Sequence, residues 1–126
     1  MTEIHFAIIN AVFTGIVILF QACLALGLPW GAASMGGKYP GVYPPKMRVV
    51  ALVNMIILCF LMMIVLVNAG LILPQFLSFS EIAIWFVVAF YGIGTVLNTI
   101  TPSKIERIWA PVVAIQLVTT ILVAIR

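Results

Sequence analysis

The sequence predicts an all-α protein, a transmembrane four-helix bundle with a long structured loop between helices 1 and 2, formed by residues 1–126 as a single four-span membrane domain. Three observations predict it. Charge is sparse and confined to edges: residues 6–37, 49–80, 82–103 and 108–125 contain no Asp, Glu, Lys or Arg. The composition is 65% hydrophobic and 7% charged, with a mean hydropathy of +1.32, whereas an ordinary soluble domain carries about 25% charged residues. Each charge-free stretch is also long enough. A helix rises ~1.5 Å per residue and the hydrocarbon layer is ~30 Å thick, so ~20 apolar residues cross it, and roughly 18 suffice where flanking charges snorkel.

Span 1 is expected over residues 4–26. Its apolar run near the start of the chain resembles a secretory signal only superficially, because residues 1–5 supply Glu3 and His5 but no Lys or Arg, and the run exceeds an h-region. Phe20-Gln21-Ala22 before Cys23 also fits a small-residue lipobox poorly, so a retained span is expected. Asn10, Thr14 and Gln21 fall on one helical face, and Ala11 with Gly15 makes a small-xxx-small contact. Span 2 is expected over residues 47–72, with Asn54 and Asn68 roughly on one face. Span 3, over residues 79–99, carries Tyr91, Thr95 and Asn98 on one face and is thinned by Gly92 and Gly94. Span 4, over residues 104–125, carries Gln116, Thr119 and Thr120. Pro111 removes the bond to the Arg107 carbonyl, and a kink near the start of that span is expected.

Every span therefore owns a polar stripe, and an unpartnered amide in lipid costs several kcal/mol, so the stripes should face one another. Two readings compete. Interhelical hydrogen bonding contributes about 0.6–2 kcal/mol per bond, whereas a polar cavity would bind or conduct a small neutral solute. Hydrogen bonding is favoured, because the stripes hold no ionisable group to couple transport to protons.

Ser78-Phe79-Ser80-Glu81 and Ser103-Lys104-Ile105-Glu106 both spell S-x-x-E before an apolar run. Capping boxes are expected there, with Ser78 and Ser103 accepting from early backbone N–H groups and Glu81 and Glu106 reaching back. The basic residues then orient the chain. Lys38, Lys46 and Arg48 flank the first connection and Lys104 and Arg107 the third, so the positive-inside rule expects residues 27–46 and 100–103 in the cytoplasm and both termini outside.

Loop 1, residues 27–46, is rich in Gly, Pro and aromatic residues and is too structured in composition for a plain linker. It is expected either to anchor in the headgroup layer or to form a ligand or lipid-headgroup site. In the second case Lys38 and Arg48 meet an anionic group while Trp30, Tyr39 or Tyr43 covers its apolar part. No nucleotide loop is present: neither G-x-G-x-x-G nor G-x-x-x-x-G-K-[ST] occurs. Cys23 and Cys59 lie in spans without ligating neighbours, so no metal and no cofactor are expected. His5 sits at a membrane edge and reads as interfacial. The six basic residues form no run, so membrane lipid is the expected partner and nucleic acid is not.

Leu28-Pro29-Trp30-Gly31, Gly36-Gly37-Lys38-Tyr39-Pro40-Gly41-Val42 and Pro44 to Arg48, followed by Asn98, Ser103, Glu106-Arg107, Trp109 and Pro111, carry a resemblance that covers most of the chain. The sequence resembles a group of small bacterial integral membrane proteins of four spans to which no activity is assigned. The resemblance implies a bacterial cytoplasmic membrane and this layout. Members often carry His where Tyr39 stands, so no imidazole chemistry in the loop carries over.

No span or loop unites a nucleophile, base and orienting group. The expected role is therefore a non-enzymatic lipid- or protein-interacting accessory, alone, as a homo-oligomer or with another membrane protein. The alternative is a small transporter or channel for a neutral or hydrophobic solute. Four-span multidrug exporters compare poorly, because they depend on a carboxylate buried in the first span, where this chain has Asn10, Thr14 and Gln21.

Overall fold

The computed structural model describes residues 2–126. Four helices carry it: α1 (Glu3–Ala25), α2 (Pro45–Asn68), α3 (Leu77–Ile100) and α4 (Trp109–Ala124). No strand occurs among the described residues. With 24 residues, α2 and α3 are each ~36 Å long at ~1.5 Å per residue. Counting the 3₁₀ turns that lead into α3 and α4, the four helical segments Glu3–Ala25, Pro45–Asn68, Pro74–Ile100 and Glu106–Ala124 are long and apolar enough to cross a membrane, which makes this a multi-pass membrane protein. Its outer surface agrees, since Ile56, Ile82 and Phe86 are 70%, 70% and 74% exposed and only lipid tails solvate such a surface cheaply.

α1 packs against α2 and α4, and α3 against α4 and α2, so the helices form a ring in chain order with antiparallel neighbours. Two cores result. Leu58, Leu61, Ile64 and Val65 of α2 join Ala83, Ile84 and Val87 of α3, with Ala7, Val113 and Val123, in a core that extends toward the termini and loop 2, the connection between α2 and α3 (residues 69–76). Leu24, Tyr43, Met47 and Ala51 form a smaller one beneath loop 1.

Several element boundaries differ from expectation, each for a local reason. α2 stops at Asn68 rather than continuing to residue 72, because Gly70 adopts φ +81° and the Leu71 N–H bonds back to the Leu66 carbonyl at 3.0 Å, a Schellman ending. The expected Ser78–Glu81 capping box is absent. Pro74 begins a short 3₁₀ turn (Pro74–Phe76) that leads directly into α3, so Ser78 lies inside the helix, Phe76 holds the cap position without a side-chain bond, and Glu81 is exposed.

At α4 the second capping box is half formed. Ser103 Oγ accepts from the Glu106 N–H at 3.2 Å, but the Glu106 carboxylate turns away to loop 1 and accepts from the Gly36 N–H at 2.9 Å. A 3₁₀ turn (Glu106–Ile108) follows and α4 starts at Trp109. Pro111 is thus in the first turn of α4, just after the change from 3₁₀ to α geometry, where a missing N–H removes no bond within the helix. His5 acquires a partner: its Nδ1 accepts from the Thr2 N–H at 3.3 Å and lies 2.9 Å from Thr2 Oγ1, closing the first turn of α1.

Candidate functional site

Loop 1 folds back over its own end of the bundle and makes a dome. The backbone closes on itself where the Gly31 N–H donates to the Gly41 carbonyl at 2.9 Å. Only glycine fits at 31: a Cβ there would lie 1.9 Å from the Tyr39 carbonyl oxygen and 2.8 Å from that of Gly41. The dome is then fastened to the third connection and α4. Ser103 Oγ donates to the Ala32 carbonyl (2.6 Å), the Trp109 indole N–H donates to the Ala33 carbonyl (3.0 Å), and the Gly36 N–H donates to Glu106. Trp109 also packs on Phe20 of α1, with ring centroids 4.6 Å apart.

Beneath the dome lies a chamber of about 750 Å³, within the range of small-molecule sites. Its ceiling is Ala33 to Gly36 with Lys38 and Tyr39. Its walls come from α1 (Val17, Phe20, Gln21), α2 (Met47, Asn54, Ile57, Leu58), α3 (Phe90, Gly94, Leu97, Asn98) and α4 (Trp109, Val112, Val113), and its floor is Tyr91 and Gln116. Ile57, Phe90, Leu97 and Ile100 line it and are also exposed. The chamber therefore opens sideways between α2 and α3, onto the surface that lipid tails cover. A second groove between the same helices nearer loop 2, about 260 Å³, is lined by apolar residues alone and offers nothing to orient a ligand.

The floor is a hydrogen-bonded knot joining α1, α3 and α4. Asn10 Nδ2 donates to the Gln116 carbonyl and to Thr119 Oγ1 and Thr120 Oγ1, each at 3.0 Å. The two threonines can accept because their own hydroxyl protons go to carbonyls of α4, Ile115 at 2.7 Å and Gln116 at 2.6 Å. Gln116 Nε2 donates to Thr14 Oγ1 at 3.0 Å, and Thr14 stands 3.4 Å from the Tyr91 hydroxyl. Asn10, Thr14 and Thr120 are 0% exposed, so the knot is buried and closes the chamber toward the termini.

The remaining polar positions of the spans separate. Thr95 and Asn98 donate to carbonyls of their own helix, Tyr91 and Gly94, both at 2.7 Å, although Asn98 also lines the chamber. Asn54 and Gln21 line it as well, and Gln21 Oε1 is buried without a hydrogen-bond partner. Asn68 is remote from Asn54 in role: its Nδ2 donates to Ser80 Oγ (3.1 Å) and its Oδ1 accepts from Arg126 Nη1 (2.6 Å) at the loop-2 end.

The five loop-1 residues expected to form one site also divide. Lys38 and Tyr39 line the chamber. Tyr43 is buried against Leu24, Met47 and Ala51, edge-on to Tyr39, and its hydroxyl meets no partner in hydrogen-bonding geometry. Burial pushes its phenol above the ordinary value of 10.0; the neighbouring Ser34 hydroxyl works against this, and the Glu106 carboxylate and Tyr39 add to it. Arg48 does not face the chamber. Its Nε donates to the Ala25 carbonyl at 2.7 Å, placing a cation on the negative end of α1, and so it is a helix cap rather than a ligand contact. Trp30 is exposed and outside the chamber.

Glu106, expected only as a helix cap, and Trp109, given no role by sequence reasoning, both belong to the site. The S-x-x-E pattern offered a local explanation for the glutamate, while its real partner lies 70 residues away in Gly36. The available signal was the i, i+3 spacing of a carboxylate and an indole at the start of a span. Compared with known proteins, the chain matches no family model, and no similar curated protein or solved structure is found. Fold and site together define a class only: a four-span membrane protein with a domed, laterally open chamber.

Proposed function

We propose that the protein is a non-enzymatic, lipid-interacting membrane accessory that holds a membrane amphiphile in the chamber beneath loop 1. The observation that carries this reading is the form of the chamber. It is mostly apolar with a few polar groups, and besides the loop end, where Met35, Lys38 and Tyr39 are exposed, it opens between α2 and α3, which suits a molecule entering from the bilayer with its headgroup at the membrane edge. The transporter reading is weaker, because a solute leaving toward the termini would have to break the buried Asn10–Thr14–Tyr91–Gln116 knot.

The five basic residues around loops 1 and 3 favour a cytoplasmic dome, with both termini outside, and the resemblance of the loop sequence favours a bacterial cytoplasmic membrane. On this arrangement the chamber draws on the cytoplasmic leaflet. The test is lipid retention by native mass spectrometry of detergent-purified protein, comparing the wild type with Asn54→Phe, which adds a ring inside the chamber. Retained lipid in the wild type and its loss in the variant are expected. Equal retention in both, or measurable flux of neutral solutes in proteoliposomes, would refute the accessory role.

A further inference from the structure

Among the residues lining the chamber only two are charged, Lys38 and Glu106. Their signs are opposite, yet no ion pair within 4.0 Å joins them among the described residues. Glu106 is 8% exposed, and one of its oxygens is committed to the Gly36 N–H. Its other oxygen makes no hydrogen bond and remains accessible, free to take a partner of opposite sign. Lys38 follows Gly36 by two residues, so ~3.8 Å per residue keeps its backbone within about 8 Å of the group that holds the carboxylate. One small headgroup could therefore meet both. Arg48 is turned to the end of α1 and Arg107 Nε to the Thr101 carbonyl, and neither of these, nor Lys46 or Lys104, lines the chamber.

Building on the lipid-holding role, we propose that the occupant is a zwitterionic aminophospholipid, with its primary ammonium on Glu106, its phosphodiester on Lys38 and an acyl chain in the cleft between α2 and α3. An anionic headgroup would set a second negative charge beside Glu106, and a lipophilic cation would leave the exposed Lys38 without a ligand partner. A zwitterion satisfies both. The ammonium has three N–H donors, which suit a carboxylate acceptor. A quaternary ammonium has no N–H to give, so a primary amine is selected over choline. Tyr39 and Trp109 also line this end of the chamber.

The experiment is native mass spectrometry of the full-length protein titrated with four lipids of identical chains: phosphatidylethanolamine, its N-acetylated form, phosphatidylcholine and phosphatidylglycerol. Glu106→Gln, Lys38→Gln and Asn54→Phe are compared with the wild type. Glu106→Gln keeps an acceptor for the Gly36 N–H, and Lys38 is exposed, so both variants should fold. The wild type is expected to retain phosphatidylethanolamine about tenfold better than the N-acetylated lipid, the scale of one charge-assisted hydrogen bond. Glu106→Gln should erase that preference, and Lys38→Gln should weaken both phosphatidylethanolamine and phosphatidylcholine. Equal retention of the amine and its N-acetylated form, or a preference that survives in Glu106→Gln, overturns the headgroup assignment. If Asn54→Phe still abolishes retention in that case, the lipid-holding role stands without it; if Asn54→Phe changes nothing, both fall.

Discussion

At the loop-2 end, Leu61, Ile64 and Val65 of α2 share a core with Ala83, Ile84 and Val87 of α3; at the loop-1 end, the same two helices line a chamber of about 750 Å³. The polar groups differ in the same sense. Asn68, Ser80 and Arg126 satisfy one another across the loop-2 end, whereas Asn54, Lys38 and Glu106 line a space. One end of the bundle is thus finished by side chains of its own helices, and the other by a loop that roofs a cavity. Stability is concentrated in the first arrangement and recognition in the second.

Four perturbations would break or sharpen this contrast. The largest effect is expected from Gly31→Ala, because the new methyl would overlap the Tyr39 carbonyl and the dome must open. The cost should be on the order of 3 kcal/mol, read as a lower midpoint of thermal unfolding in detergent and faster tryptic cleavage after Lys38. Asn10→Ala removes the donor to three acceptors in the floor and should cost about 2 kcal/mol in the same unfolding assay. It weakens both ends, since the knot is shared between them.

Trp109→Phe keeps the ring against Phe20 but loses the bond to the Ala33 carbonyl, worth about 1 kcal/mol. Hydrogen exchange should quicken over residues 31–39 and remain unchanged around Asn68 and Ser80. The smallest effect concerns pH. Because the Tyr43 phenol is raised above 10.0 by burial, the unfolded chain loses that proton before the folded one does. Its contribution is fully present below pH 10 and lost as pH rises through the folded value. Tyr43→Phe should flatten this alkaline decline and otherwise be neutral or slightly stabilising, since it removes a buried hydroxyl without a partner. A variant that declines as steeply as the wild type would assign the alkaline transition elsewhere.

The same contrast separates what the sequence made legible from what it did not. The four helices and their apolar faces follow from local rules, namely hydropathy, charge placement and periodicity. The floor was partly readable for the same reason: Asn10 with Thr14 and Gln116 with Thr120 lie one turn apart, so the faces they share were visible before their partners were. The roof was not. Gly31 to Gly41, Ala32 to Ser103, Ala33 to Trp109 and Gly36 to Glu106 are contacts between a loop and distant segments, and no periodicity records them. Local motifs also misled there. S-x-x-E assigned Glu106 to its own helix end, and the clustering of Lys38 with Arg48 suggested one cationic site, when Arg48 caps α1.

The most direct test uses Trp109, which lines the chamber, as the only indole in a Trp30→Phe, Trp85→Phe background reconstituted in lipid with brominated acyl chains. If a lipid tail occupies the space between α2 and α3, Trp109 fluorescence is strongly quenched and Asn54→Phe relieves the quenching. Quenching that is absent, or that Asn54→Phe leaves unchanged, would contradict a chamber filled from the bilayer.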